Sequence, residues 1–370
     1  MIYLDHHAVS IPHPEVLRAM EEARVHTWAN PASAHRLGRE SRRHLETART
    51  RVARAIGGSE AEIVFTATGS EACRLGIHGM LGIKRIWMAP LEHPAMSGAI
   101  TTSGLPHQTL PLAPLLRGEL PPAVGEGDLL AINWANHEIG TVFPIEALAR
   151  AAKERGTRVF VDGIQALGRL PIRLDTVPID AMAIAGQKFG GPTGAAALFI
   201  RRSTPYDSPD SGGGEERGRR PGTPDVERIH NFDVAATLLE ERLAQSARGG
   251  RIARLRDRLE EALIELGGVV NGRETERIAT VTNVSFLGRR GPILVAALDL
   301  EGVAASFGAA CSSGVDEPSK NLLALYPGET DRAHSAVRFS LGPETTEDDI
   351  DGAVRAMRSI LSRRGPLRAP

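Results

Sequence analysis

One stretch constrains the fold more than any other: VFVDGIQALGRLPIRLDTVPIDAMAIAGQKFGGPTGAAALFIR, Val159 to Arg201. An apolar run, Val159 to Val161, ends in Asp162; a second, Asp180 to Ala185, leads into Gly186, Gln187 and Lys188, and GPTG precedes another strand. Short apolar runs joined by longer segments read as strands of a sheet buried on both faces. Such a sheet carries ligands beyond the carboxyl ends of its strands, so a carboxylate and an amine come to neighbouring strand ends. Glycines around the lysine leave room for a flat ligand. A lysine there suits a Schiff base and an aspartate suits a pyridinium nitrogen, together the protein's share of a pyridoxal phosphate site. Alone, either residue reads as a surface lysine in a glycine turn or a helix-capping aspartate. Their pairing points to the cofactor.

The same alternation extends along most of the chain. Residues 14–27 and 36–56 have the period of amphipathic helices, EIVFT (62–66) reads as a buried strand leading into a helix from Ser70, and KRIWMA (84–89) and DLLAIN (128–133) read as further strands. Repeated strand, crossover helix and strand predict an α/β fold with a mainly parallel sheet. Glu138, Asp162 and Lys188 all follow apolar runs and are expected along its carboxyl edge. Residues 203–223 carry Pro, Gly and charge without period, a long loop of the kind that is usually functional. From residue 251 the texture changes to a strong amphipathic helix, an alternating strand (ATVTNVSFL), a helix (ILVAALDLEG), a strand near Ala336 to Leu341 and a final helix, Glu347 to Leu361. We expect a large cofactor domain over 14–250 and a smaller α+β C-terminal domain over 251–370, with residues 1–13 packing on the latter.

Composition narrows the setting. With a net charge of -1, nothing points to nucleic acid or to an acidic membrane surface as a partner. No run approaches a membrane span, and MIYLDHHAVS lacks the basic and apolar regions of a signal peptide. Two cysteines in 370 residues exclude a disulfide framework and point to a reducing cytoplasm.

Four further places carry chemistry. Thr68, Gly69 and Ser70 lie between a strand and a helix, where backbone N–H groups and the helix dipole receive an anion; an ordinary N-cap explains that segment equally well. His93 follows the strand at 84–89, placed to stack on a planar cofactor and exchange protons, or simply to cap a helix. Cys311 sits among glycines and small residues in FGAACSSGVDEPS, where a thiolate can reach a ligand, whereas Cys73 falls in a helix and reads as structural. Arg338, inside an apolar strand, needs a partner: a substrate carboxylate held bidentately, or an internal ion pair.

Ordered along almost the whole chain, YLDHHAVS, NPASAH, EIVFTATGSEA, LEHPA, NHEIGTVFPI, VDGIQALGRLPI, GQKFGGPTG, GGGEERGRRPGTP, GAACSSG and AHSAVRFSLG resemble the cysteine desulfurases. These form the class V aminotransferase-like branch of the fold type I pyridoxal phosphate-dependent transferases. The resemblance implies that Lys188 carries the cofactor and removes the α-proton of the substrate. It assigns Asp162 to the pyridine nitrogen, Gln165 to the phenolate oxygen and His93 to ring stacking and proton transfer. Thr68, Gly69 and Ser70 would form the phosphate cup, with Thr223 reaching the phosphate from the second subunit of a homodimer. Arg338 would hold the carboxylate of L-cysteine, and Cys311 would take its sulfur as a persulfide for a protein sulfur acceptor, releasing L-alanine. That acceptor could be an iron–sulfur cluster assembly scaffold, a tRNA-thiolation protein or a biosynthetic carrier. His137 stands where the family commonly has an amide near cofactor and substrate; Ala185 and Gln187 replace a serine and a histidine. These departures favour, as alternatives, a selenocysteine lyase, C–S lyase or epimerase of the same branch; a sulfur-relay homologue without turnover is opposed by Lys188.

Overall fold

The computed structural model describes residues 1–247, 249–308 and 317–363, so Cys311 lies outside the described residues. The chain opens with a two-residue strand, β1 (Ile2–Tyr3), and two helices, α1 (Pro14–His26) and α2 (Arg36–Ala55). Proline at the start of α1 costs no hydrogen bond, and His13 and His35 cap the two helices through their rings. Then come β2 (Ile63–Thr66), α3 (Gly69–Gly79), β3 (Arg85–Met88), α4 (Pro94–Thr102), β4 (His107–Thr109), β5 (Asp128–Asn133) and α5 (Ile145–Glu154). β6 (Arg158–Asp162), β7 (Ala181–Ala185), β8 (Ala196–Ile200) and α6 (Val226–Thr237) follow. The remainder contains α7 (Arg251–Glu265), β9 (Val269–Val270), β10 (Val281–Ser285), α8 (Gly291–Leu300), β11 (Val303–Ala304), α9 (Lys320–Leu325), β12 (Ala336–Ser340) and α10 (Glu347–Ser362).

These elements form two compact units. The larger spans residues 12–134 and 143–241 and is built on a seven-stranded sheet of order β2-β8-β7-β6-β5-β3-β4. The strands from β7 through β4 are parallel; β8 runs antiparallel to both β7 and β2. The β7–β8 link, residues 186–195, is too short for a crossover helix, which is why the direction reverses there. Every residue of β2, β5, β7 and β8 is buried. That two-sided burial explains why the strands read as continuous apolar runs. Leu75, Ile77, Ile100, Leu129, Phe160 and Leu198 anchor one core between the sheet and its helices.

The smaller unit gathers residues 1–11, 135–142 and those from 242 onward. Its three-stranded antiparallel sheet has the order β12-β10-β9, and β1 pairs parallel with β11. Leu255, Leu259, Leu294, Phe339, Ile350 and Met357 form its core. Reading from sequence places 135–142 in the larger domain and the boundary at 250; the structure groups that segment with the smaller unit and turns at 241. The reason is local. Ala135 and Val142 form a bridge, Asn136 N donates to Thr141 O at 2.8 Å, and Thr141 pairs with Arg277. Gly140 makes the reversal at φ +86, where a Cβ would come within 2.5 Å of Val281 Cγ1.

Candidate active site

In the larger unit the chemistry collects at the carboxyl ends of β5, β6 and β7. Asp162 is the last residue of β6 and pairs in register with Asn133, the last of β5. Its Oδ1 accepts a hydrogen bond from Ile164 N at 3.0 Å, folding the chain into a turn that carries Gln165, which is also buried. Burial pushes the Asp162 carboxyl up to about 6, while the Ile164 N–H and the charge of Lys188 pull it back. Lys188 ends a single 3-10 turn, Gly186–Lys188, directly after β7. Arg169 ties the two loops together, donating to Gln165 O at 3.3 Å and to Lys188 O at 2.7 Å. Parallel pairing thus brings together the lysine, aspartate and glutamine that are 26 residues apart at most in the chain. Glu138, expected on this edge, belongs to the 135–142 segment and so to the smaller unit.

A second carboxyl stands beside Asp162. Glu92 Oε1 accepts from Asn133 N at 2.8 Å, and Asn133 Nδ2 donates to Leu91 O at 2.5 Å. Burial and then the Asp162 charge raise Glu92 well above the usual carboxylate range. The same causes hold the thiol of the fully buried Cys73 well above its ordinary value, with the Glu92 charge adding to them. His93 caps α4: its Nδ1 accepts from Ala95 N at 3.0 Å, which leaves the proton of the neutral ring on Nε2. Glu92, Asn133 and Arg169 join the site beyond the residues expected from the sequence. The polar residues at positions 92 and 133 close apolar runs and were in principle legible; Arg169 was not.

Thr68 is the N-cap of α3, its hydroxyl accepting from Glu71 N at 3.1 Å. Gly69 is close-packed, since a Cβ there would lie 2.4 Å from Ile164 Cδ1. That contact keeps the backbone N–H groups at the start of the eleven-residue helix near the Asp162 turn. The 203–223 loop reaches the same helix start through Arg220, whose Nε donates to Glu71 Oε1 at 2.8 Å, and it leaves Thr223 exposed.

In the smaller unit Arg338 is buried and takes the internal ion pair that its sequence context left open, with Nη2 donating to Asp5 Oδ1 at 2.7 Å. Its Nη1 donates to His137 O at 3.2 Å, and His7 Nδ1 donates to the same oxygen at 3.1 Å. Glu138 accepts from Asn321 Nδ2 at 2.9 Å, and burial raises its pKa.

These side chains fit pyridoxal phosphate. An amine is present for its aldehyde, a helix start for its phosphate, and a buried carboxylate, pushed toward its neutral form, for a protonated ring nitrogen. The carboxylate also sets a pH dependence in the cofactor-free protein. Because Asp162 is more readily protonated when folded, its stabilising contribution is complete below its ordinary value of 3.8 and is lost as pH rises through about 6. At 1.36 kcal/mol per tenfold, the loss is about 3 kcal/mol. Urea midpoints measured from pH 4 to 7 should fall less steeply in Asp162→Asn than in the unsubstituted protein. Asp233, buried beside Arg51 and also raised to about 6, contributes to the slope that remains, as do Glu92, Glu138 and Asp180, whose carboxyls burial also raises. Parallel slopes would place the titration elsewhere.

A largely parallel seven-stranded sheet with a lysine and an aspartate at adjoining strand ends is the fold of the type I pyridoxal phosphate-dependent transferases. The family described as aminotransferase class-V matches residues 2–352. A cysteine desulfurase of Trichormus azollae is 36% identical over 98% of this chain and 93% of its own. An IscS-like cysteine desulfurase of Mycobacterium tuberculosis is 34% identical over 98% and 97%. Among solved structures, a NifS-like protein superposes with a TM-score of 0.88 at 29% identity, covering 98% of this chain and 99% of that one. The chain belongs to the class-V aminotransferase family and, within it, to the cysteine desulfurases. No helix among the described residues is long and apolar enough to cross a membrane.

Proposed function

We propose that this protein is a pyridoxal phosphate-dependent cysteine desulfurase: L-cysteine and the Cys311 thiol become L-alanine and a Cys311 persulfide, which passes its outer sulfur to an acceptor protein. The observation that carries the reading is the adjacency of Lys188 to the buried Asp162 carboxylate. Lys188, Asp162, Gln165, His93 and the start of α3 would hold the cofactor, which supplies an electron sink at the substrate α-carbon.

The protein's own groups account for the remainder. Asp162 holds the ring nitrogen protonated, since a positive partner favours the ionised form of a carboxylate that burial disfavours. Lys188 Nζ takes the α-proton, and His93 Nε2 delivers or receives a proton near the ring. Arg338 receives the substrate carboxylate. The Cys311 thiolate attacks the substrate sulfur, the carbon–sulfur bond breaks, and its electron pair ends in the new methyl C–H bond of alanine. Protons balance: one thiol hydrogen remains on the persulfide and the other on carbon. Cys73 is a poor nucleophile, sealed in the core with its thiol held neutral. The cytoplasmic location and the homodimer in which Thr223 reaches a partner's phosphate belong to the same reading.

Paired substitutions test the assignment. Cys311→Ser should keep the cofactor absorbance and still bind L-cysteine, yet form alanine at least about a hundredfold more slowly. Cys73→Ser should keep most of the turnover. The opposite ranking would exclude Cys311 as the sulfur acceptor.

A further inference from the structure

Arg338 is 1% exposed, and a guanidinium that deep in the fold requires a counter-charge. Asp5 supplies it through one oxygen, which accepts from Arg338 Nη2 at 2.7 Å and from Ser306 Oγ at 2.8 Å. The backbone reinforces the arrangement: Ser306 N donates to Arg338 O at 3.1 Å and Arg338 N to Ser306 O at 2.7 Å. Three chain segments, at residues 5, 306 and 338, therefore meet on one carboxylate. Asp5 and Arg338 are not equally committed. The Asp5 side chain keeps 19% of its surface in solvent against 1% for Arg338, so the carboxylate can swing toward water and the guanidinium cannot. Arg338 Nε has no hydrogen-bond partner among the described residues, which leaves donor capacity beyond that used by Asp5 and His137.

We propose that Asp5 is a resident counter-ion of Arg338, displaced by the incoming substrate carboxylate, and that it thereby selects ligands that bring a carboxylate of their own. The proposal rests on the reading of Arg338 as the substrate's partner. Exchange of one carboxylate for another keeps the buried charge neutralised throughout, whereas a simple amine leaves Asp5 in place. Selectivity has a cost in affinity, because part of each ligand's attraction to Arg338 is spent in releasing Asp5. Ser306 shares the Asp5 oxygen, so displacement frees its hydroxyl as well.

The holoenzyme can be titrated spectroscopically with S-methyl-L-cysteine, which has no free thiol, and with its decarboxylated counterpart S-methylcysteamine. Asp5→Asn removes the competing charge and should tighten the amino acid about tenfold, with the amine unchanged. Ser306→Ala, a gentler change that keeps the ion pair, should shift it the same way by about fivefold through loss of one hydrogen bond to Asp5. The thermal midpoint of Asp5→Asn should fall and recover with added sodium formate, while the unsubstituted protein stays indifferent to formate; a merely structural Asp5 would give the fall without the recovery. Weaker or unchanged amino-acid binding in both variants, with Arg338→Lys still impairing it, would overturn the counter-ion proposal and leave the Arg338 reading intact. Unimpaired binding in Arg338→Lys would overturn both.

Discussion

Replacement of Lys188 by alanine is expected to remove the visible absorbance of the bound cofactor and to lower alanine formation from L-cysteine by about a thousandfold or more, the scale on which general acid–base and covalent groups act. The expectation rests on placement: Lys188 closes the turn after β7, with its charge felt by the buried Asp162 carboxylate at the end of the adjacent strand β6. Its backbone carbonyl is held by Arg169, so the alanine variant should keep the turn and lose only the amine. Borohydride reduction followed by peptide mapping checks the assignment independently of turnover. A reduced adduct still formed in Lys188→Ala would move the attachment point to another residue.

The largest effect on stability should come from Glu216. Its carboxylate lies in the 203–223 loop with a side chain 1% exposed, and it meets Arg49, 3% exposed, through two bonds of 2.7 and 2.9 Å. Phe65 N in β2 donates to the same group at 2.8 Å. Glu216 and Arg217 hold φ values of 49 and 60, a left-handed conformation that non-glycine residues adopt only under compulsion from their surroundings. Glu216→Ala strands the Phe65 N–H and leaves the buried Arg49 guanidinium with only the half-exposed Glu46, at 3.1 and 3.3 Å, as its carboxylate partner. Removal of one partner from a buried pair costs about 3–5 kcal/mol, and the remaining Glu46 contact sets the loss at the lower end of that range. Glu216→Gln keeps an acceptor for Phe65 N–H and should cost less. Urea denaturation of the three proteins measures the order. An alanine variant within about 1 kcal/mol of the original would show that the pair contributes no more than a surface contact. Loss of this anchor should also weaken cofactor retention, because Arg220 of the same loop bonds Glu71 at the start of α3.

Much of the candidate site in the larger unit was legible before folding. A strand buried on both faces must be apolar, so a polar residue that closes such a run declares a strand end, as Asp162 does for β6, and Lys188 follows in the turn directly after β7. His93 was visible in the same way, though its capping bond to Ala95 was one of two readings. Other contacts had no local signature. Asp5 and Arg338 are separated by 333 residues and Arg49 and Glu216 by 167, and neither side chain of either pair breaks a periodic pattern in a way that names its partner. Residues 135–142 are a further instance: their bonds within the segment and to Arg277 fix their membership of the smaller unit, yet neither their composition nor their spacing differs from the loops around them.

By itself the sequence determined the alternation of strand and helix, the mainly parallel sheet and the presence of a lysine and an aspartate at its carboxyl edge. These follow from hydrophobic period and from where it stops, which are properties of consecutive residues. The tertiary structure alone decided which charges are neutralised and by what: Arg338 by Asp5, Arg49 by Glu216, and Asp162 raised toward neutrality beside Glu92. A buried charge is governed by the atoms within a few ångströms of it, and in this fold those atoms come from segments brought together only when the chain closes on its core.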